Sequence, residues 1–133
     1  MENGEQPKAR DIHVRAFEFA RRVVKLHVFL ARGNATARVL GAQVLRSGTS
    51  VGANLEEATA GQSKRDFVAK CCIALKEARE TLYWLRLLAA EAIVEPTRLT
   101  PLVEESNELV AILTTIVRKA SATADRGKDP HAT

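Results

Sequence analysis

Apolar positions recur along this chain at alternating steps of three and four, the spacing that gathers side chains on one face of an α-helix. Ile12, Ala16, Phe19, Val23, Leu26 and Leu30 mark the first such stripe. Phe17, Ala20, Val24 and Ala31 read as widening it, with Arg15, Glu18, Arg21, Arg22, Lys25 and Arg32 largely on the other side. The helix is expected to start after Asp11, acting as N-cap, and to stop at Gly33-Asn34. A second helix is expected from about Thr36 to about Ala60, with Leu40, Val44, Val51, Leu55 and Ala58 on one face. Its middle, Arg46 to Asn54, has the composition of a loop, because each internal glycine costs about 1 kcal/mol against alanine. The helical register nevertheless runs through it unbroken, so one continuous helix is the better reading.

Ser63 followed by Asp66 resembles a capping box and opens a third helix that reaches about Ala92. Phe67, Cys71, Ala74, Ala78, Leu82, Leu85 and Ala89 form its stripe. From Leu82 onward it is apolar almost all round. A helix that is greasy on every side is buried on every side, which points to self-association with Tyr83, Trp84 and Leu87 at the interface. Pro96, or Thr100-Pro101, opens the fourth helix, where Leu99, Val103, Ser106, Val110, Leu113 and Val117 repeat every seven residues. No segment alternates with a period of two. The expected fold is therefore all-α: an antiparallel, up-down four-helix bundle over residues 11–120 that self-associates. Residues 1–10 and 121–133 read as flexible tails, polar or lacking any period.

At 133 residues the chain is long enough to bury a core without a disulfide or metal. Its net charge of +4 is mildly basic and permits contact with nucleic acid without demanding it. Residues 10–33 carry six Arg and Lys against two acids, and Lys64, Arg65 and Lys70 add a second cluster. Repeated around a ring, such patches become a phosphate-binding field, with Arg15, Arg21, Arg22, Lys25, Lys64 and Arg65 as its contacts.

No histidine has a glutamate three residues before it, so a di-metal carboxylate site is not expected. Cys71-Cys72 lacks metal or redox spacing and reads as two small packing residues. His27 reads as a core or interface histidine. Gly48 and Gly52 fit no phosphate loop and read instead as points of close helix approach. The stripe Arg46, Ser50, Asn54 and Glu57 is either a polar network that sets bundle register or a binding site, with Glu77 and Glu80 positioned to meet Arg46. Without a long apolar run or a secretory leader, the expected compartment is the cytoplasm.

The segment Gln43-Val44-Leu45-Arg46-Ser47-Gly48-Thr49-Ser50-Val51-Gly52-Ala53-Asn54-Leu55-Glu56-Glu57-Ala58 resembles a family hallmark, Gln-x-x-Arg-x-x-x-Ser-x-x-x-Asn-x-x-Glu. Ile73 to Leu85 matches one branch of the same family. The family is the four-helix bundle proteins encoded in intervening sequences of 23S ribosomal RNA genes, with the accessory protein of diversity-generating retroelements as a relative. Gln43, Arg46, Ser50, Asn54, Glu57 and Glu80 carry over. Gly52 stands where many members have proline, and Glu56-Glu57-Ala58 where many have Ala-Glu-Gly. The resemblance implies a homopentameric ring. Its retroelement branch implies nucleic acid and a protein as partners. The expected function is a non-catalytic scaffold that binds RNA or DNA without a cofactor; the alternative is a protein–protein interaction module with no nucleic-acid role.

Overall fold

In the computed structural model, described for residues 8–61 and 63–126, four helices follow one another: α1 (Lys8–Leu30), α2 (Ala35–Ala60), α3 (Lys64–Ala90) and α4 (Pro96–Arg126). Successive helices pack side by side and run antiparallel. Gly52 lies against Ala16, Gly48 against Val23 and Gly41 against Leu30, so numbers rise along α2 as they fall along α1. Ser47 meets Thr81 and Gly61 lies against Asp66, so α3 reverses the direction of α2 in the same way. α1 and α3 are the diagonal pair, with no Cα atoms within 8 Å of one another; α1 and α4 meet only lightly and close the bundle.

The glycine-containing middle of α2 is helical throughout, as its register predicts. Several boundaries differ from expectation. Asp11 lies inside α1, which already begins at Lys8; nothing after Pro7 breaks a helix. Gly33 takes no left-handed conformation, and Asn34 serves the next helix, its side chain accepting from the Ala37 N–H at 2.9 Å. α4 opens at Pro96, the first of its two expected starts, and Glu95 just before it accepts from the Thr97 N–H at 2.9 Å and from the Thr97 hydroxyl. Those bonds, the hydroxyl's foremost, hold the Glu95 carboxyl below its usual range. α4 also runs on to Arg126, past the expected end at residue 120, because Ala120, Ala122 and Ala124 favour helix. Residues 1–7 and 127–133 of the expected tails lie outside the described residues.

The end of α3 is capped in an unusual way. Ala92 has a φ of 53°, while Ile93 N–H donates to Leu88 C=O at 3.0 Å and Ala92 N–H to Ala89 C=O at 3.1 Å. This is the Schellman arrangement, with alanine where glycine normally sits. The left-handed conformation costs an L-residue roughly 1–2 kcal/mol, partly offset by the smaller backbone entropy alanine has to lose. Ala92→Gly is expected to raise stability by about 0.5–1 kcal/mol, read as a higher urea midpoint at unchanged slope.

The core follows the predicted stripe of α1 closely: Ile12, Ala16, Phe19, Val23 and Leu30 are buried. On α4 the buried set is Leu99, Leu102, Ser106, Leu109 and Leu113, whereas Val103, Val110 and Val117 flank it. Both patterns repeat every seven residues and share every other member, so spacing alone does not separate them. The Ser106 hydroxyl has no hydrogen-bond partner among the described residues, although the residue is 1% exposed. Removing an unsatisfied buried group relieves its desolvation cost, so Ser106→Ala is expected to stabilise by about 1 kcal/mol in the same urea assay.

Candidate functional site

The hallmark segment of α2 divides into three parts. Its upper part faces α3. The Arg46 guanidinium reaches Glu77 Oε1 at 3.3 Å and pairs with Glu80 Oε2, while Gln43 Oε1 accepts from the same guanidinium at 3.4 Å. Glu80 also accepts from Trp84 Nε1 at 3.1 Å. Beneath this cluster two fully buried hydroxyls meet between the helices: Thr81 Oγ1 lies 2.8 Å from Ser47 Oγ and 2.8 Å from Glu77 C=O, and Ser47 donates to Gln43 C=O at 3.0 Å. These bonds fix the α2–α3 register. In the middle, Asn54 Nδ2 donates to Ser50 C=O at 2.9 Å and to Ser50 Oγ at 3.0 Å, a local pairing along one helix. At the end, Glu57 is exposed and bonds to no described residue. Arg46, Ser50, Asn54 and Glu57 thus share a stripe on α2 but form no single network with Glu80 of α3, which reaches Arg46 alone among them. Ser47 and Thr81, the buried centre of the junction, were not singled out from sequence; hydroxyls one helix apart give no periodic signal.

The six basic residues expected to contact phosphate are not brought together either. Arg15 is engaged across the α1–α4 seam: Nε and Nη2 grip Glu105 at 2.9 and 2.8 Å, and Nη2 also meets Glu108 at 2.6 Å. Hydrogen bonds from Glu105, then Glu108, raise its pKa above the ordinary guanidinium value. Arg21 pairs with Glu18 on its own helix at 3.3 Å. Lys64 and Arg65 start α3, at the opposite end of the bundle from the α1 C-terminus and on the helix diagonal to it. Arg22 lies some fourteen residues up α1, roughly 20 Å along the axis at 1.5 Å per residue. That exceeds the screening length of about 8 Å at physiological salt, so the two clusters do not sum within one chain. Arg22 and Lys25 do stand together. They line a cavity of about 280 Å³ with Phe29 and, from α4, Arg98, a residue that sequence reasoning missed because it belongs to another helix.

The exposed apolar surface is also redistributed. α2 and α4 cover much of the greasy end of α3: Leu85 and Leu88 are buried, and Trp84 and Leu87 are half-buried. Of the expected interface residues only Tyr83 stands well out, 57% exposed and edge-on to Trp84. α1 instead presents Val14, Phe17, Val24 and Val28 to solvent, with Phe17 65% exposed. Phe17 and Val24 therefore do not widen the core stripe. Phe17 lies two residues, about 200° of rotation, from buried Phe19, which turns it directly away. His27 is half-buried beside Gly41.

The two cysteines differ as well. Cys71 is buried, and that burial, with the neighbouring thiol second, pushes its pKa up to about 11; Cys72 is exposed. A raised pKa leaves few thiolates at pH 8, and closure around Cys71 shields those few. Native protein is expected to take up one iodoacetamide per chain by mass spectrometry, and two only after denaturation.

Among the described residues no group of His, Cys, Asp or Glu is arranged to hold a metal ion, and no helix is long and apolar enough to cross a membrane. No curated protein matches the chain. A crystal structure of a protein with unknown function from the S23 ribosomal protein family of Bacteroides thetaiotaomicron is similar at 40% sequence identity and a TM-score of 0.78, covering 84% of this chain and 99% of that one. The family model described as 23S rRNA-intervening sequence protein matches residues 8–115, which span all of α1, α2 and α3 and most of α4. With Gln43 and Arg46 of the hallmark bonded at the α2–α3 junction inside that span, the chain belongs to the 23S rRNA-intervening sequence protein family.

Proposed function

We propose that this protein is a non-catalytic, self-associating helical scaffold of the cytoplasm that binds nucleic acid through basic surfaces repeated around the assembly. The observation that carries the reading is the outer side of α1, where an apolar stripe of Val14, Phe17, Val24 and Val28 runs beside the exposed cations Arg22 and Lys25. A second copy covering the stripe removes its large apolar side chains from water, at roughly 25 cal/mol per Å². The cations lie between the stripe and α4, clear of that contact, and are presented once per subunit. Each copy then adds to a phosphate-binding field that a single chain is too sparsely charged to build. The family resemblance implies five subunits. The hallmark polar residues support a non-catalytic role, because Arg46 is engaged with Glu77 and Glu80 rather than aimed into a cavity.

Light scattering and fluorescence anisotropy test the two halves separately. The expected mass is several times the 14.5 kDa of one chain, reduced by Phe17→Glu. Labelled RNA and DNA are expected to bind at low salt, with affinity falling steeply as salt rises. A stable single subunit at micromolar concentration, with no anisotropy change, would overturn the reading. Capture of one protein partner that survives nuclease treatment, with no oligonucleotide binding, favours a protein–protein interaction module instead.

A further inference from the structure

The seam between α1 and α4 closes tightly at Arg15 and opens toward the C-terminal end of α1. There Arg22, Lys25 and Phe29 face Arg98 of α4 across a floor that includes Leu99 and Leu102, enclosing about 280 Å³. A second cavity of about 260 Å³ adjoins it, sharing Phe29 and adding Arg32. No acidic side chain lines either cavity. Arg15 and Arg21 on the same helix carry carboxylate partners, whereas Arg22, Lys25, Arg32 and Arg98 form no ion pair among the described residues. Glu95, three residues before Arg98, feels its charge without a close ion pair, so the groove keeps a positive excess carried chiefly by Arg22, Lys25 and Arg32. Phe29 is 48% exposed, and the Arg98 guanidinium stands 5.5 Å from its ring centre.

Each of these features selects an occupant. The cations select phosphate. The guanidinium lies over one face of the ring, and the ring's other face and the guanidinium plane remain as flat surfaces on which a planar base stacks. The volume, about 280 Å³, lies just under the roughly 300–1,000 Å³ of ligand sites, room for one nucleotide rather than a larger body. A duplex presents phosphates but keeps its bases stacked inside, so it cannot fill this groove.

We infer that the α1–α4 groove seats one unpaired nucleotide of a single strand, its base on Phe29 and Arg98 and its flanking phosphates on Arg22, Lys25 and Arg32. The inference rests on the nucleic-acid reading and adds to it a preference for unpaired strands. Nothing lining the groove distinguishes ribose from deoxyribose, so single-stranded RNA and DNA are expected to bind alike.

Anisotropy titrations of the full chain with labelled 12-nucleotide single strands, RNA and DNA, and a 12-base-pair duplex test it. Single strands are expected to bind at least about fivefold more tightly than duplex. Phe29→Ala is expected to weaken single-strand binding by about 5- to 100-fold, the range for losing one stacked base, and duplex binding less than twofold. Phe29→Tyr retains the stacking surface and is expected to keep the preference, which separates a lost contact from a damaged fold. Lys25→Ala is expected to weaken both ligands and to reduce the salt slope by about one. If the native chain binds both ligands and Phe29→Ala weakens them equally or not at all, the groove assignment falls while the nucleic-acid reading stands. If the native chain binds neither, both fall.

Discussion

Gly48→Ala is expected to destabilise the bundle, while Gly52→Ala, one turn further along the same helix face, is expected to stabilise it. Intrinsic propensity predicts the same sign at both positions, because alanine is better than glycine inside a helix by about 1 kcal/mol. The difference lies in what faces them. A Cβ on Gly48 would stand 2.8 Å from both γ-methyls of Val23 and 3.2 Å from its Cβ. Val23 is fully buried, and its β-branched side chain has one favoured rotamer in a helix, so it cannot swing aside. The helices have to part. Overpacking costs about 1–3 kcal/mol, and with three atoms of Val23 in the way the upper part of that range, about 2–3 kcal/mol, applies; it outweighs the propensity gain and leaves a net loss of about 1–2 kcal/mol. A Cβ on Gly52 would meet Ala16 at 3.5 Å, an ordinary contact, and the propensity gain survives. Thermal melts of the two variants check this directly. Combining Gly48→Ala with Val23→Ala is expected to recover at least about 0.5 kcal/mol relative to the sum of the single effects, since each change makes room for the other. Equal stabilisation at both glycines would show that α1 and α2 do not approach at Gly48 as described.

That pair also marks how far the sequence speaks. Glycines four apart signal a close helix approach, and α1 passes both: Gly48 leaves no room for a Cβ beside Val23, Gly52 lies against the Ala16 backbone with just enough room for one, and Gly41, not singled out, is tight against Leu30 as well. How closely each glycine meets its neighbour depends on interhelical register, which no single helix encodes. The same limit divided α1. The step from Ile12 to Leu30 defined its buried side correctly, yet Phe17 and Val24 were read as part of the core when geometry turns them outward. Apolar character alone does not distinguish a wide core face from two opposed faces. The greasy end of α3 shows the converse: it looked unpartnered because one helix was weighed in isolation, and its two flanking helices cover most of it. The candidate site followed this pattern. Arg22 and Lys25 were legible as members of the basic face of α1, but not as a pair set apart from its other cations. Arg98 was not legible, because it joins them only through the α1–α4 packing, and Arg15 gave no sign that two glutamates on α4 would engage it. The Arg46 contacts to Glu77 and Glu80 were legible because the hallmark spacing limits where a guanidinium on α2 reaches.

Arg46→Ala tests whether that junction holds the bundle together or serves as a contact surface. Glu77 is only 8% exposed, and truncating Arg46 strands its carboxylate between two helices while releasing Glu80 and Gln43. Breaking a fully buried pair from one side costs about 3–5 kcal/mol. Arg46 itself is half exposed, so water softens the loss, and about 2–3 kcal/mol is expected. For a chain of this size that lowers the melting temperature by very roughly 6–12 °C. Arg46→Lys is expected to restore only part of it, because an ammonium lacks the planar fork that reaches both carboxylates and the Gln43 amide together. Replacing both members, Arg46→Met with Glu77→Met, removes the stranded charge along with its partner and is expected to bring the melt back to within about 1 kcal/mol of the native chain. Glu80 keeps its bond from Trp84 in that variant. The comparison of single and double variants separates the penalty of an orphaned carboxylate from the worth of the pair. An unchanged melt for Arg46→Ala, accompanied by lost oligonucleotide binding, would move the hallmark arginine from the helix junction to the binding surface.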